Sequence, residues 1–176
     1  MDKTLYQFNY SQDIVHLQTK FSLFNRVSNI VFSLTFDEDF DKKLMSQAIQ
    51  LLVDRNDCLR LKFVKAGKEI KQYFEDKRTI EEIPSMSFKT FGAMERFLHR
   101  FRKKAVNVKK GETFKAVYAE DPCGKKMIFV KISHMAADIY GIGIMVHDLN
   151  AIYNALKNRT ELPPMPGKFE DILIND

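Results

Sequence analysis

The spacing of apolar positions divides the chain into short strands and longer helices. Ile30, Phe32, Leu34 and Phe36 alternate with Val31, Ser33 and Thr35, which predicts a strand over Asn29–Phe36. Asp37-Glu38-Asp39 follows and offers a cap and first-turn carboxylates for a helix running from Phe40 to about Asp54. Leu44, Met45, Ala48, Ile49, Leu51 and Leu52 recur on one face of that helix. Asn56-Asp57 breaks it. Leu59-Arg60-Leu61-Lys62-Phe63-Val64 alternates again and predicts a strand, with a turn at Ala66-Gly67-Lys68 and a return arm over Ile70–Phe74.

The second half repeats this logic. Met94, Phe97, Leu98, Phe101 and Ala105 share one face of a helix predicted over Phe91–Val106. Phe114–Ala119 reads as a strand, Asp121-Pro122-Cys123-Gly124 as a turn, and the nearly continuous apolar run Met127–Ile132 as a strand buried on both faces. A helix through Asn158 presents Met145, Leu149, Ile152, Tyr153 and Leu156. The opening segment to about Arg26 has mixed character, Thr79–Ser87 is ambiguous, and the Pro-rich tail reads as an extended exit. Paired strands separated by helices predict a mixed α/β or α+β sandwich, one sheet with helices packed on it, within a single domain over 1–176. They do not predict a doubly wound nucleotide fold. Gly141-Ile142-Gly143 lacks the remaining residues of a phosphate loop.

Composition narrows the function classes. At 176 residues and 45% hydrophobic, the chain can close one ordinary core. No apolar run approaches the roughly 20 residues of a membrane span, and the first residues lack the pattern of a secretory signal. Cys58 and Cys123 have neither a disulfide framework nor metal-ligand spacing, and His16, His99 and His147 have no partners at such spacing. A cytoplasmic protein with no metal is expected. The net charge of +5 is mild and no aromatic interleaving on a sheet platform is evident, so nucleic acid is not expected as a partner, and neither is a membrane. Arg96, Arg100, Arg102, Lys103, Lys104, Lys109 and Lys110 form a basic cluster. A solvated helix face accounts for such a run, and a dock for an anionic partner is the alternative.

One segment carries chemistry. Phe129-Val130-Lys131-Ile132 runs out into Ser133-His134, then Met135-Ala136-Ala137-Asp138, and a helix follows after Gly141. A histidine where a buried strand ends is held rigidly and titrates near neutral pH, as a general base requires. The same placement fits a satisfied core or edge histidine. Asp138 reads either as a helix cap or as one half of a buried ion pair. Arg60, lone among apolar neighbours, is the candidate partner, and the expected pair would lock the loop carrying His134.

Ser133-His134-Met135-Ala136-Ala137-Asp138 resembles the His-His-x-x-x-Asp-Gly motif of nonribosomal peptide synthetase condensation domains, within the wider chloramphenicol acetyltransferase-like family. Asp57–Phe63 is similar to that family's early Leu-Arg…Phe strand, Lys109–Ala116 to the stretch leading into the strand before the motif, and Asp148–Leu156 to the Asp-Leu…Tyr helix after it. The resemblance spans nearly the whole chain. It implies an N-terminal half of an acyltransferase whose two similar halves enclose a tunnel, with a mixed, largely antiparallel sheet. It also implies that His134 faces the tunnel and deprotonates or positions an amine or hydroxyl that attacks a thioester. The implied donor is carried on phosphopantetheine of an acyl or peptidyl carrier protein, or on CoA, with no tightly bound cofactor. The resemblance gives Asp138 and Arg60 the same structural ion pair.

Ser133 stands where the motif has its first His and Ile139 where it has Gly; a β-branched residue resists positive φ. Gly141 and Gly143 offer a shifted helix start as compensation. A tunnel needs two walls. The expectation is therefore a piece of a protein about twice as long, or self-association; the alternative is a non-catalytic module that binds a carrier or another protein.

Overall fold

The computed structural model describes residues 3–21, 28–36 and 40–175. Its elements run α1 (Tyr10–Phe21), β1 (Asn29–Thr35), α2 (Lys42–Arg55), β2 (Leu61–Ala66), β3 (Glu69–Phe74), β4 (Ser85–Ser87), α3 (Phe91–Lys103), β5 (Phe114–Glu120), β6 (Lys126–Ser133), α4 (Ile139–Asn158) and α5 (Phe169–Asn175). The main sheet has the order β1-β6-β5-β4, and β2-β3 form a separate hairpin. All neighbours pair antiparallel except β4 with β5. The predicted mixed α/β architecture is the observed one.

Register explains the layers. Leu34, Ile128 and Tyr118 stand in one cross-sheet row, Phe32, Val130 and Ala116 in the next, and Ile30, Ile132 and Phe114 in the third. All nine belong to the core beneath α2 and α4, which contribute Met45, Ile49, Leu52, Val53, Ile142, Met145, Leu149, Ile152 and Tyr153. Each buried aliphatic side chain contributes about 1.5–3 kcal/mol at most. The packing leaves an entirely apolar cavity of about 60 Å³ between α4 and the sheet. Because side chains alternate along a strand, Phe129 and Met127 of β6 point the other way. There they meet Ala119, Phe88 and the half-buried apolar face of α3, Phe97 and Phe101 included. The central strand is thus covered on both faces, as its unbroken apolar run predicts.

Local differences from the sequence reading have identifiable causes. The cap predicted at Asp37-Glu38-Asp39 lies outside the described residues. The cap observed is Asp41, whose carboxylate accepts the Leu44 N–H at 2.8 Å. Asp57–Arg60 forms a 3-10 turn where a strand was expected from Leu59. The turn lets Arg60 reach back to the end of α2. The helix predicted to Val106 stops at Lys103, and Val106 N–H bonds Asn29 Oδ1 at 3.1 Å.

Two helices went unread. The opening segment holds α1, whose start is a capping box: Asn9 Oδ1 accepts the Gln12 N–H at 2.9 Å, and Gln12 Oε1 accepts the Asn9 N–H at 3.2 Å. The tail ends in α5, whose first N–H groups, from Phe169 and Glu170, are both accepted by the buried Asp57 carboxylate at 2.9 Å. No helix among the described residues is long and apolar enough to cross a membrane.

Candidate functional site

β6 carries the chain to Ser133, where the ladder ends. Ser133 is buried. Its N–H bonds Thr113 C=O at 2.8 Å, and its hydroxyl accepts the Met135 N–H at 3.2 Å. Its C=O accepts the Ala136 N–H at 2.9 Å, closing a tight turn. A small hydroxyl at 133 therefore organises the turn locally, the hydrogen-bonding role open to a serine at the first motif position.

His134 occupies the apex of this turn. Its N–H bonds Ser28 C=O at 2.9 Å, and the residue is half-buried. Among the described residues the imidazole has no hydrogen bond, ion pair or ring contact. The ring is not entombed, and no described residue engages either nitrogen, the arrangement proton transfer requires. Ile139, Tyr140 and Ile144 on the first turns of α4, which follow the His134 turn in the chain, are exposed, and on α1 Tyr10, Ile14, Leu17 and Phe21 form a separate exposed stripe at helical spacing.

The expected pairing of Asp138 with Arg60 does not form. Asp138 is the N-cap of α4, its Oδ1 accepting the Gly141 N–H at 2.8 Å. Arg60 instead caps the far end of α2. Nη1 donates to Val53 C=O at 2.8 Å and Asp54 C=O at 2.6 Å, and Nε to Glu75 C=O at 2.8 Å. The guanidinium satisfies orphan carbonyls at the negative end of a helix dipole, which removes its need for a carboxylate. Among the described residues, a buried Asp–Arg pair forms instead between Asp148 and Arg55.

Ile139 causes no strain. It is the first residue of α4, and Arg159 is the only described non-glycine residue with positive φ. Gly141 matters for another reason. A Cβ there would lie 3.3 Å from Asp138 Oδ1 and 3.6 Å from Ala137 Cβ, so glycine gives the capping carboxylate room to close.

Two residues absent from the sequence reading hold the loop. Gln12 Nε2 donates to Met135 C=O at 2.8 Å and to Gln72 Oε1 at 2.8 Å, and Gln72 Nε2 returns a bond to Gln12 Oε1 at 2.7 Å. The Asn9-x-x-Gln12 spacing is a readable helix start, but nothing in it points to Gln72.

Two concavities lie elsewhere: the apolar cavity under α4, and a groove of about 560 Å³ whose lining includes Glu75, Arg78, Glu82, Lys110, Glu112 and Lys115. Neither is lined by His134. The candidate site is assigned by the imidazole, unpartnered among the described residues, and its rigid mounting, not by volume. Cys58 is excluded as a nucleophile, since burial, reinforced by Asp57, pushes its thiol up to about 12. Of the basic cluster, Arg96, Arg100, Arg102, Lys103, Lys104 and Lys110 are exposed, and among the described residues none has an ion-pair partner. The side chain of Lys109 lies outside the described residues. No group of three or more His, Cys, Asp or Glu among the described residues could hold a metal ion.

Comparison with known proteins gives a consistent picture. The family model described as "Condensation domain" matches residues 3–172. No curated protein matches the sequence. Among solved structures, the starter condensation domain of rhizomide synthetase RzmA is similar with a TM-score of 0.85 at 18% identity, covering 98% of this chain and 43% of that one. A variant of that domain in complex with C8-CoA gives a TM-score of 0.86 at 18% identity, with 98% and 40% covered. The first condensation domain of the CDA synthetase gives 0.82 at 14% identity, with 98% and 44% covered. The chain therefore spans less than half the length of the solved chains it matches.

Proposed function

Since the chain belongs to the condensation-domain family, we propose that it forms the N-terminal half of a condensation-type acyltransferase, with His134 as general base. The single observation carrying this reading is the half-buried imidazole at the end of β6, which has no partner among the described residues. In this reading an acceptor amine or hydroxyl attacks the thioester carbonyl carbon while His134 takes its proton. The tetrahedral intermediate then expels the thiolate as the C–S bond breaks, and the imidazolium supplies the proton that yields the thiol. Ser133 and the cap at Asp138 keep the turn in place, and neither touches the reactants.

The donor is a thioester on a carrier protein's phosphopantetheine or on CoA. The complex of the similar RzmA variant with C8-CoA supports this choice. The exposed apolar residues Ile139, Tyr140 and Ile144 at the start of α4, directly after the turn, support a second wall, from a C-terminal half or a second copy. A non-catalytic module that binds a carrier is the second reading. It is favoured by the exposed basic face of α3, which has no ion-pair partner among the described residues and suits an acidic, phosphate-bearing partner.

The test is product formation by the full-length protein from an acyl-CoA and a panel of amines and alcohols, followed by mass spectrometry. His134→Ala should lower the rate by about 10²–10⁴-fold, the usual range for a lost general base, while leaving carrier binding unchanged. Full activity in His134→Ala refutes the general-base role. Carrier binding without turnover in either protein selects the second reading.

A further inference from the structure

Gln12 and Gln72 are 3% and 0% exposed. Their carboxamides join head to tail, Gln12 Nε2 to Gln72 Oε1 at 2.8 Å and Gln72 Nε2 to Gln12 Oε1 at 2.7 Å. The remaining N–H of Gln72 goes to Gln7 C=O at 2.7 Å, and that of Gln12 to Met135 C=O at 2.8 Å. Gln12 Oε1 also accepts the Asn9 N–H at 3.2 Å. All four amide protons are used.

Two buried glutamines are an expensive way to dock a helix. They surrender rotamer freedom and hydration that two leucines would not. What an apolar pair cannot do is hold a carbonyl at a chosen angle, because only hydrogen bonds are directional. The carbonyl held here belongs to the residue after His134. The Met135 N–H is held by Ser133 Oγ, and the His134 N–H by Ser28 C=O. The peptide planes on both sides of His134 are therefore anchored. One peptide further on, the Met135 C=O is anchored through Gln12 to Gln72 in β3, which lies outside the main sheet.

We propose that Gln12 and Gln72 are a positioning pair for His134: they fix the Met135 carbonyl, one peptide beyond His134, and so hold the turn that presents the imidazole in a single conformation. The pair serves the place that Arg60 and Asp138 were expected to fill. The proposal rests on the reading of His134 as the reactive group, but its test does not need turnover.

The experiment uses the full-length protein with ¹³C-labelled histidine, the His134 ring signal being assigned by its loss in His134→Ala. Gln12→Met keeps volume and removes both donors. Gln72→Met leaves the Gln12 bond to Met135 but removes the group orienting it. Arg60→Ala, which strips the cap of α2, serves as a control destabilised away from the turn. The His134 ring signal should shift or split in Gln12→Met and move the same way, by less, in Gln72→Met, and stay put in Arg60→Ala. Amide exchange at Met135 and Ala136 should rise about tenfold in Gln12→Met, the factor one lost hydrogen bond allows. Where the protein is active, kcat should fall with KM unchanged.

Unmoved ring signals in either folded glutamine variant, or equal movement in Arg60→Ala, overturn the proposal. If Gln12→Met fails to fold, Gln72→Met decides alone. Absence of acyl transfer in the wild type sinks the catalytic reading but leaves the ring measurement valid, so the two failures are told apart.

Discussion

Arg55, the last residue of α2, holds Asp148 in the middle of α4, with Nε 3.5 Å from Oδ2 and side chains only 8% and 10% exposed. Arg55 Nη2 also donates to Pro163 C=O at 2.9 Å and to Pro164 C=O. One guanidinium thus ties two core helices to the segment leading to α5.

Asp148→Ala leaves that guanidinium buried without its counter-charge. Chemical denaturation should show a loss of about 3 kcal/mol, as for other broken buried pairs. Replacing both partners, Arg55→Met with Asp148→Leu, should recover much of it, because no isolated charge remains. A loss below about 1 kcal/mol for Asp148→Ala would place the pair with weak surface bridges.

Arg60 and Asp138 cap different helices and share no bond. Arg60→Ala removes three hydrogen bonds from a charged donor and should cost about 2 kcal/mol. Asp138→Ala removes an N-cap and should cost about 1 kcal/mol. The double variant should be additive to within about 0.5 kcal/mol. A coupling energy above about 1 kcal/mol in the double-mutant cycle would restore the ion pair between them.

Lys131 is 2% exposed on β6, its ammonium 2.7 Å from Phe101 C=O and 2.5 Å from Lys104 C=O at the end of α3. Burial first, then Lys115 and Lys104, lower its pKa from 10.5 to about 8. Below about 8 both folded and unfolded states carry the charge. Between about 8 and 10.5 the folded state has shed a proton that the unfolded state keeps, so stability rises with pH through this window. The neutral amine still has two N–H groups for the two carbonyls. Denaturation midpoints should therefore rise for wild type relative to Lys131→Met between pH 8 and 10.5. A flat or falling difference contradicts the assignment.

Cys123 is exposed and Cys58 is buried with a thiol raised to about 12. At pH 8 a thiol reagent should label one cysteine in the native protein, and Cys123→Ser should abolish that labelling. The second thiol should react only on unfolding. Prompt labelling of native Cys123→Ser would mean that the core around Cys58 opens readily.

The chain's periodicities determined most of this molecule's elements. The alternation over Asn29–Phe36, the unbroken apolar run of β6 and the 3.6-residue faces of α2, α3 and α4 each reflect local burial, which a sequence records directly. The motif residues Ser133, His134 and Asp138 were legible for the same reason, being contiguous. What escaped was either weakly apolar or long-range. Helix α1 has only Gln12 and Val15 fully buried, so its stripe is hard to read, and α5 follows a Pro-rich stretch and is capped by the distant Asp57.

Partner choice was beyond the sequence altogether. Arg60 and Asp138 had suitable charges, and so did Arg55 and Asp148. Only the crossing of α2 with α4 and the tight turn at Asp57–Arg60 decided which arginine met a carboxylate and which met carbonyls. The same holds for Gln12, Gln72 and Met135, which lie far apart in the chain and meet because the first segment pairs with β3 through Tyr6. A hydrogen bond needs its groups within about 3 Å and aligned, and that condition is set by the assembled tertiary fold, while the pattern of residues sets only which groups are available to meet it.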